Sequence, residues 1–87
     1  PDYFISKNKI ELRPEKDIES IFSSLEKRYK NEKINTEDGL KIDFEDGWVH
    51  LRKSNTEPII RIYAEGKDEE KANEFANKMI DDINLLY

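Results

Sequence analysis

Two Asp-Gly pairs, Asp38-Gly39 and Asp46-Gly47, bracket a run in which apolar and charged residues alternate without a break. Leu40, Ile42 and Phe44 stand against Lys41, Asp43 and Glu45. A period of two is that of a half-buried strand, and Asp-Gly is a tight-turn signal. Read as a two-residue hairpin loop, Asp46-Gly47 places Glu45 opposite Trp48, Phe44 opposite Val49 and Ile42 opposite Leu51. Apolar then meets apolar throughout, so the register is self-consistent. The strand over residues 48–52 buries Val49 and Leu51 and turns Trp48, His50 and Arg52 to the other face. After a short loop, Ile60, Ile62 and Ala64 carry the buried phase, which leaves Arg61, Tyr63 and Glu65 on the opposite side. Pairing Leu51 with Ile62 keeps the core continuous and sets Arg52 directly across from Arg61. Like charges opposed across two strands are destabilising on their own.

Helical patterns flank these strands. Pro14 is expected in the first turn of a helix, where its missing N–H does no harm, with Glu15 and Asp17 on the favourable side of the dipole. Ile18, Ile21, Phe22, Leu25 and Tyr29 follow at steps of three and four and draw one apolar stripe that ends near residues 30–33. A last helix follows Gly66, with Asp68 as N-cap and Glu69 and Glu70 in its first turn. Its stripe is Ala72, Phe75, Ala76, Met79, Ile80 and Ile83, extended by Leu86. Phe75 and Met79 at this spacing read as core, and the mixed charges on the outer helix faces read as solvated surface. Residues 34–37 are expected as a short strand. Tyr3, Phe4, Ile5, Ile10 and Leu12 are apolar but interrupted by Ser6-Lys7-Asn8-Lys9, which reads as an extended lead-in with one short strand at most. The architecture is therefore α+β: an antiparallel sheet of three to four strands with two helices on one face. Residues 1–13 form the lead-in and residues 14–87 the domain.

Composition bounds the function. At 87 residues the chain holds one small domain, and the periodic patterns outweigh a charged fraction of 40% that would otherwise point to disorder. A net charge of -5 opposes broad binding of a polyanion, so nucleic acid is not an expected partner, whereas a single anion pocket is compatible with it. There is no cysteine, hence no disulfide framework and no thiolate metal site. No run approaches the roughly 18 apolar residues of a membrane span. A soluble, cytoplasmic protein with no membrane partner is expected. The chain opens at Pro1 without Met, and a fragment of a longer protein is expected.

The chemistry concentrates in residues 52–65. Two arginines, Arg52 and Arg61, the hydroxyls of Ser54 and Thr56 and the amide of Asn55 crowd one short loop. An anion between the arginines turns their opposition into an attraction, and loop N–H groups, hydroxyls and amide add donors to the same oxygens. Pro58 restricts its own backbone and that of Glu57 and so holds the loop in shape. The residues equally allow a surface hairpin loop whose arginines pair with Glu57 and Glu65.

The stretch Arg-Lys-Ser-Asn-Thr-Glu-Pro-Ile-Ile-Arg-Ile-Tyr-Ala-Glu, residues 52–65, resembles the signature of the C-terminal, fourth domain of the α-D-phosphohexomutases, the phosphomannomutase/phosphoglucomutase family. The Asp38-Gly39 and Asp46-Gly47-Trp48 turns also match that domain, and the resemblance covers residues 14–86. It implies a TATA-binding-protein-like fold and a four-domain enzyme that moves a phosphoryl group between the C6 and C1 oxygens of a hexose. A phosphoserine in the first domain, a Mg²⁺ site in the second and a sugar-selecting loop in the third are implied elsewhere in such an enzyme. The fourth domain grips a phosphate and swings to close the cleft. Carried over by match, Arg52, Ser54, Asn55 and Thr56 hold the phosphate that is not reacting, and Arg61 is a supporting charge. Asn55 resembles the phosphomannomutase/phosphoglucomutase type, whereas many phosphoglucosamine mutases place Gly there. The implied partners are a hexose phosphate of mannose, glucose or glucosamine and the preceding domains of the same enzyme.

The family's Asp-Gly-Asp-x-Asp metal run and phosphoserine motif do not occur in these residues, so Mg²⁺ is expected only in the full-length enzyme and this chain alone is expected to be catalytically silent. His50, the one histidine, reads as a sheet-surface residue. A different class remains open: a non-enzymatic interaction module that docks through the exposed sheet face with Trp48, His50 and Tyr63.

Overall fold

The computed structural model describes residues 3–13, 17–54 and 57–86. Five strands and two helices follow in the order β1 (Phe4–Glu11), α1 (Ile18–Arg28), β2 (Lys33–Asn35), β3 (Leu40–Phe44), β4 (Gly47–Lys53), β5 (Ile59–Gly66) and α2 (Glu69–Leu85). All pairings are antiparallel, and the spatial order across the sheet is β1-β5-β4-β3-β2. Both helices lie on one face of the sheet. Ile21, Phe22, Leu25 and Tyr29 from the α1 side and Ala76, Met79 and Ile83 from α2 share a single core cluster with Leu40, Ile42, Val49, Leu51, Ile60, Ile62 and Ala64. Complete burial of each large aliphatic side chain there contributes about 1.5–3 kcal/mol. The opposite face of the sheet carries no helix and presents Trp48, His50, Arg52, Arg61, Tyr63 and Glu65.

Three segments differ from the sequence reading. The interrupted lead-in is an eight-residue edge strand, β1, paired with β5 along its whole length, which makes the sheet five-stranded rather than three- or four-stranded. Its core-side residues Ser6 and Asn8 are polar, and they satisfy each other through a 2.8 Å hydrogen bond from Asn8 Nδ2 to Ser6 Oγ. The period of two is therefore present in geometry but absent from the hydropathy. At α1, Asp17 is the N-cap rather than a first-turn residue: its carboxylate accepts from the Glu19 N–H (3.1 Å) and the Ser20 hydroxyl (2.9 Å). The expected roles of Pro14 and Glu15 fall outside the described residues. Asp68 caps α2 as expected, accepting from the Lys71 N–H at 2.8 Å.

The third difference is the β3–β4 register. Phe44 pairs with Gly47, Ile42 with Val49 and Leu40 with Leu51, so the loop residues are Glu45-Asp46 and the pairing is shifted by two from the expected one. The shift is even, so every side chain keeps its face. Its cause is Gly47, which serves packing rather than the turn. A Cβ there would stand 2.4 Å from Phe75 Cε2 and 2.2 Å from the Glu65 carbonyl oxygen. Among the described residues only Gly39 has a positive φ, +73°, so the Glu45-Asp46 loop lacks the left-handed pair of a type I′ turn.

Tyr29 and Asp82 tie the two helices together beneath the sheet. The Tyr29 hydroxyl donates to the Asp82 carboxylate, which Arg28 also approaches at 3.5 Å. Burial first, and the Asp82 hydrogen bond second, push the Tyr29 phenol well above its ordinary 10.0.

Candidate functional site

The site begins with a register. Leu51 pairs with Ile62 in the core, and the next pair along β4 and β5 is Arg52 with Arg61, both exposed on the helix-free face. The opposition of these two arginines, expected from the sequence, is thus present. Beyond them the loop is fastened at its base. The Ser54 N–H donates to the Ile59 carbonyl (3.0 Å), and the Ile59 N–H donates to Glu57 O (2.8 Å). The Leu12 N–H, just past the end of β1, donates to Pro58 O at 2.7 Å, so the loop is held from the β1 side as well. Of the expected phosphate ligands, Arg52, Ser54 and Arg61 are brought to this corner, while Asn55 and Thr56 lie outside the described residues.

The surroundings of Arg52 are set by the turn that precedes β3. Its guanidinium pairs with Asp38 at 3.3 Å rather than with Glu57 or Glu65. Gly39 makes this possible: its left-handed backbone turns the chain so tightly against β4 that a Cβ would lie 2.2 Å from the Leu51 carbonyl oxygen. The same turn brings the Asp38 carbonyl to His50, whose Nε2–H donates to it at 2.5 Å. His50 is therefore a support for the turn beside the site. Lys53 pairs with Ile60 across the strands and reaches to the helix side, where its Nζ meets Glu19 of α1 at 2.9 Å. Together these residues border a cleft of about 490 Å³ between α1 and the 36–40 turn, lined in part by Glu19, Thr36, Asp38, Gly39, Arg52 and Lys53.

The docking-face aromatics are differently disposed. The Trp48 indole N–H is engaged by Glu65 at 2.8 Å, and the Lys41 ammonium lies 5.2 Å from the ring centroid. Glu65 thus serves Trp48 and is not a counter-ion to an arginine. Tyr63 faces Lys7 of β1 across one strand pair and His50 of β4 across the other.

A Mg²⁺ site does not fit what is present. Among the described residues no three His, Cys, Asp or Glu side chains converge on one point. Among the same residues no helix is long and apolar enough to cross a membrane.

The chain is similar to known proteins along most of its length. Residues 9–82 match the family described as phosphoglucomutase/phosphomannomutase, C-terminal domain. A phosphoglucosamine/phosphogalactosamine mutase of Sulfurisphaera tokodaii is 42% identical over 81 residues, covering 91% of this chain and 18% of that enzyme. A phosphoglucomutase/phosphomannomutase of Thermococcus kodakarensis is 63% identical over 46 residues, 53% of this chain and 10% of its own length. A probable phosphoglucosamine mutase of Methanopyrus kandleri is 39% identical over 71 residues, covering 82% of this chain and 15% of that protein. The chain spans less than a fifth of each of these relatives. With the α+β architecture, the paired arginines and a match along most of its length, the chain belongs to the family of phosphoglucomutase/phosphomannomutase C-terminal domains.

Proposed function

We propose that this chain is the phosphate-gripping domain of a phosphohexomutase, and that Arg52, Ser54, Asn55, Thr56 and Arg61 bind the phosphate of a hexose phosphate that is not reacting. The observation that carries this reading is the direct opposition of Arg52 and Arg61 at the base of a fastened loop. Unrelieved, that arrangement is repulsive; a phosphate dianion makes both charges favourable and accepts several hydrogen bonds at once. The loop holds substrate and does no chemistry on it. In the complete enzyme, which moves the phosphoryl group between C6 and C1 in the cytoplasm, this grip at the remote end supplies orientation and drives closure. Mg²⁺ and the phosphorylated serine belong to preceding domains of that enzyme. The relatives' names span glucose, mannose, glucosamine and galactosamine phosphates, and the substrate class is accordingly hexose and hexosamine phosphates.

Amide NMR titration of the chain with glucose 1-phosphate tests the reading. Resonances of Arg52, Lys53, Ser54 and Arg61 should move first and those of the β2–β3 edge last. Binding by this domain alone should be weak, because it supplies only one wall of a cleft. No shift at tens of millimolar ligand, or shifts confined to the Trp48 end of the face, would refute it.

A further inference from the structure

The repulsive row does not stop at two residues. On the far side of β5, Arg61 pairs with Lys9 of β1, so Arg52, Arg61 and Lys9 stand side by side on three adjacent strands, all on the helix-free face and all exposed. Strands lie about 4.8 Å apart, which makes this a row of three cations roughly 10 Å long. The next row along holds His50, Tyr63 and Lys7. Lys7, Lys9, Arg61 and Tyr63, with Asn8, line a surface hollow of about 350 Å³ between β1 and β5. Glu11 and Glu65 are the carboxylates nearest along these strands on that face, yet among the described residues none stands within ion-pair distance of Lys7, Lys9 or Arg61. In a chain of net charge -5, a row of three cations with one carboxylate partner, Asp38 on Arg52, is a local reversal of sign.

From this placement we infer that Lys9 is a third cation of the phosphate site, contributed by β1 and engaging the same phosphate dianion from the side opposite Arg52. The inference rests on the phosphate-gripping reading and extends it to a strand outside the loop. Arg61 is the central member of the row and is flanked on both sides by positive charge. An anion held at Arg61 therefore lies within reach of the long side chains on either flank. The Leu12–Pro58 hydrogen bond fastens the β1 end to the loop and keeps Lys9 in register with it. Lysines on an edge strand also discourage edge-to-edge pairing of sheets. That role asks nothing of Lys9 in ligand binding, so the two are separable by experiment.

The test is titration of the whole chain and its variants with glucose 1-phosphate, and separately with inorganic phosphate, at constant ionic strength. Amide spectra confirm that each variant is folded. Lys9→Gln should weaken both ligands about three- to tenfold and Lys9→Arg should retain binding. Lys33→Gln, the same charge change at the opposite edge of the same face, should shift affinity by less than about twofold, since a distant exposed charge is screened. Unchanged affinity in Lys9→Gln with binding lost in Arg52→Ala overturns the role of Lys9 and leaves the loop reading standing. Equal weakening by Lys9→Gln and Lys33→Gln also overturns it, because net charge alone then suffices. Self-association of Lys9→Gln with phosphate binding intact assigns the lysine to edge protection and overturns it as well. Binding that survives Arg52→Ala overturns the loop reading and the shared site together.

Discussion

Tyr29, at the C-terminal end of α1, donates its hydroxyl to Asp82, 53 residues later and near the end of α2. Both residues are buried, and no other hydrogen bond among the described side chains joins the two helices. Breaking a buried pair from one side leaves the other partner unsatisfied. Asp82→Ala should cost about 2–4 kcal/mol in urea unfolding and Tyr29→Phe about 1–3 kcal/mol, because the carboxylate then keeps only Arg28 at 3.5 Å. The pH dependence has a definite sign. The folded phenol is held above its ordinary 10.0, so the folded state retains a proton that the unfolded chain gives up. The stability this lends is complete below pH 10 and is lost as pH rises beyond it. The gap between the wild-type protein and Tyr29→Phe should narrow above pH 10; a gap that widens there would contradict the assignment.

Gly39→Ala should destabilise by about 2 kcal/mol or more. The new Cβ meets the Leu51 carbonyl at 2.2 Å, a backbone atom that cannot step aside, and the residue sits at φ +73°. Because the new Cβ would also stand 3.3 Å from the Arg52 Cα, the variant displaces Arg52 itself and should lose phosphate affinity even at temperatures where it stays folded. Chemical denaturation and NMR titration on the same sample separate the two effects.

Asp38→Asn should strengthen phosphate binding about two- to fivefold. The carboxylate competes with the ligand for Arg52 at 3.3 Å and repels an approaching dianion. Its pair with Arg52 is exposed, so removing the charge should change stability by less than about 1 kcal/mol. Weaker binding in Asp38→Asn would show that the pair orients Arg52 rather than restraining it.

Phe44 and Phe75 stack with centroids 5.0 Å apart, and Tyr29 meets Phe44 edge-on at 5.8 Å. This chain of rings links α1, β3 and α2. Phe75→Ala should cost about 2–4 kcal/mol, since it removes the stack and uncovers the space above Gly47. Phe75→Leu should cost less than half as much, measured by thermal or urea unfolding.

The phase of β3, β4 and β5 was legible because one face of each is apolar and the other is not. The same pattern sets Arg52 opposite Arg61. What escaped was set by contacts distant in sequence. Gly47 sits where a turn residue belongs, but Phe75, 28 positions later, decides its use. Asp82 looks like any acid on a helix and is buried only because Tyr29 arrives to receive it. β1 is hidden in the hydropathy by Ser6 and Asn8, polar residues on the core side of an edge strand, and the place of Lys9 beside Arg61 is hidden with it. Asp38 signals a turn in the sequence, while the meeting of its charge with Arg52 depends on the fold.

The loop after β4 is stitched twice at its base, once to β5 through Ser54 and Ile59 and once to the β1 side through Leu12 and Pro58. Lifting its described ends, at Ser54 and Pro58, requires unzipping the end of the sheet. Under the proposed function, loading and release of a phosphate follow movement of the domain as one body, as a latch mounted on a door moves only when the door does.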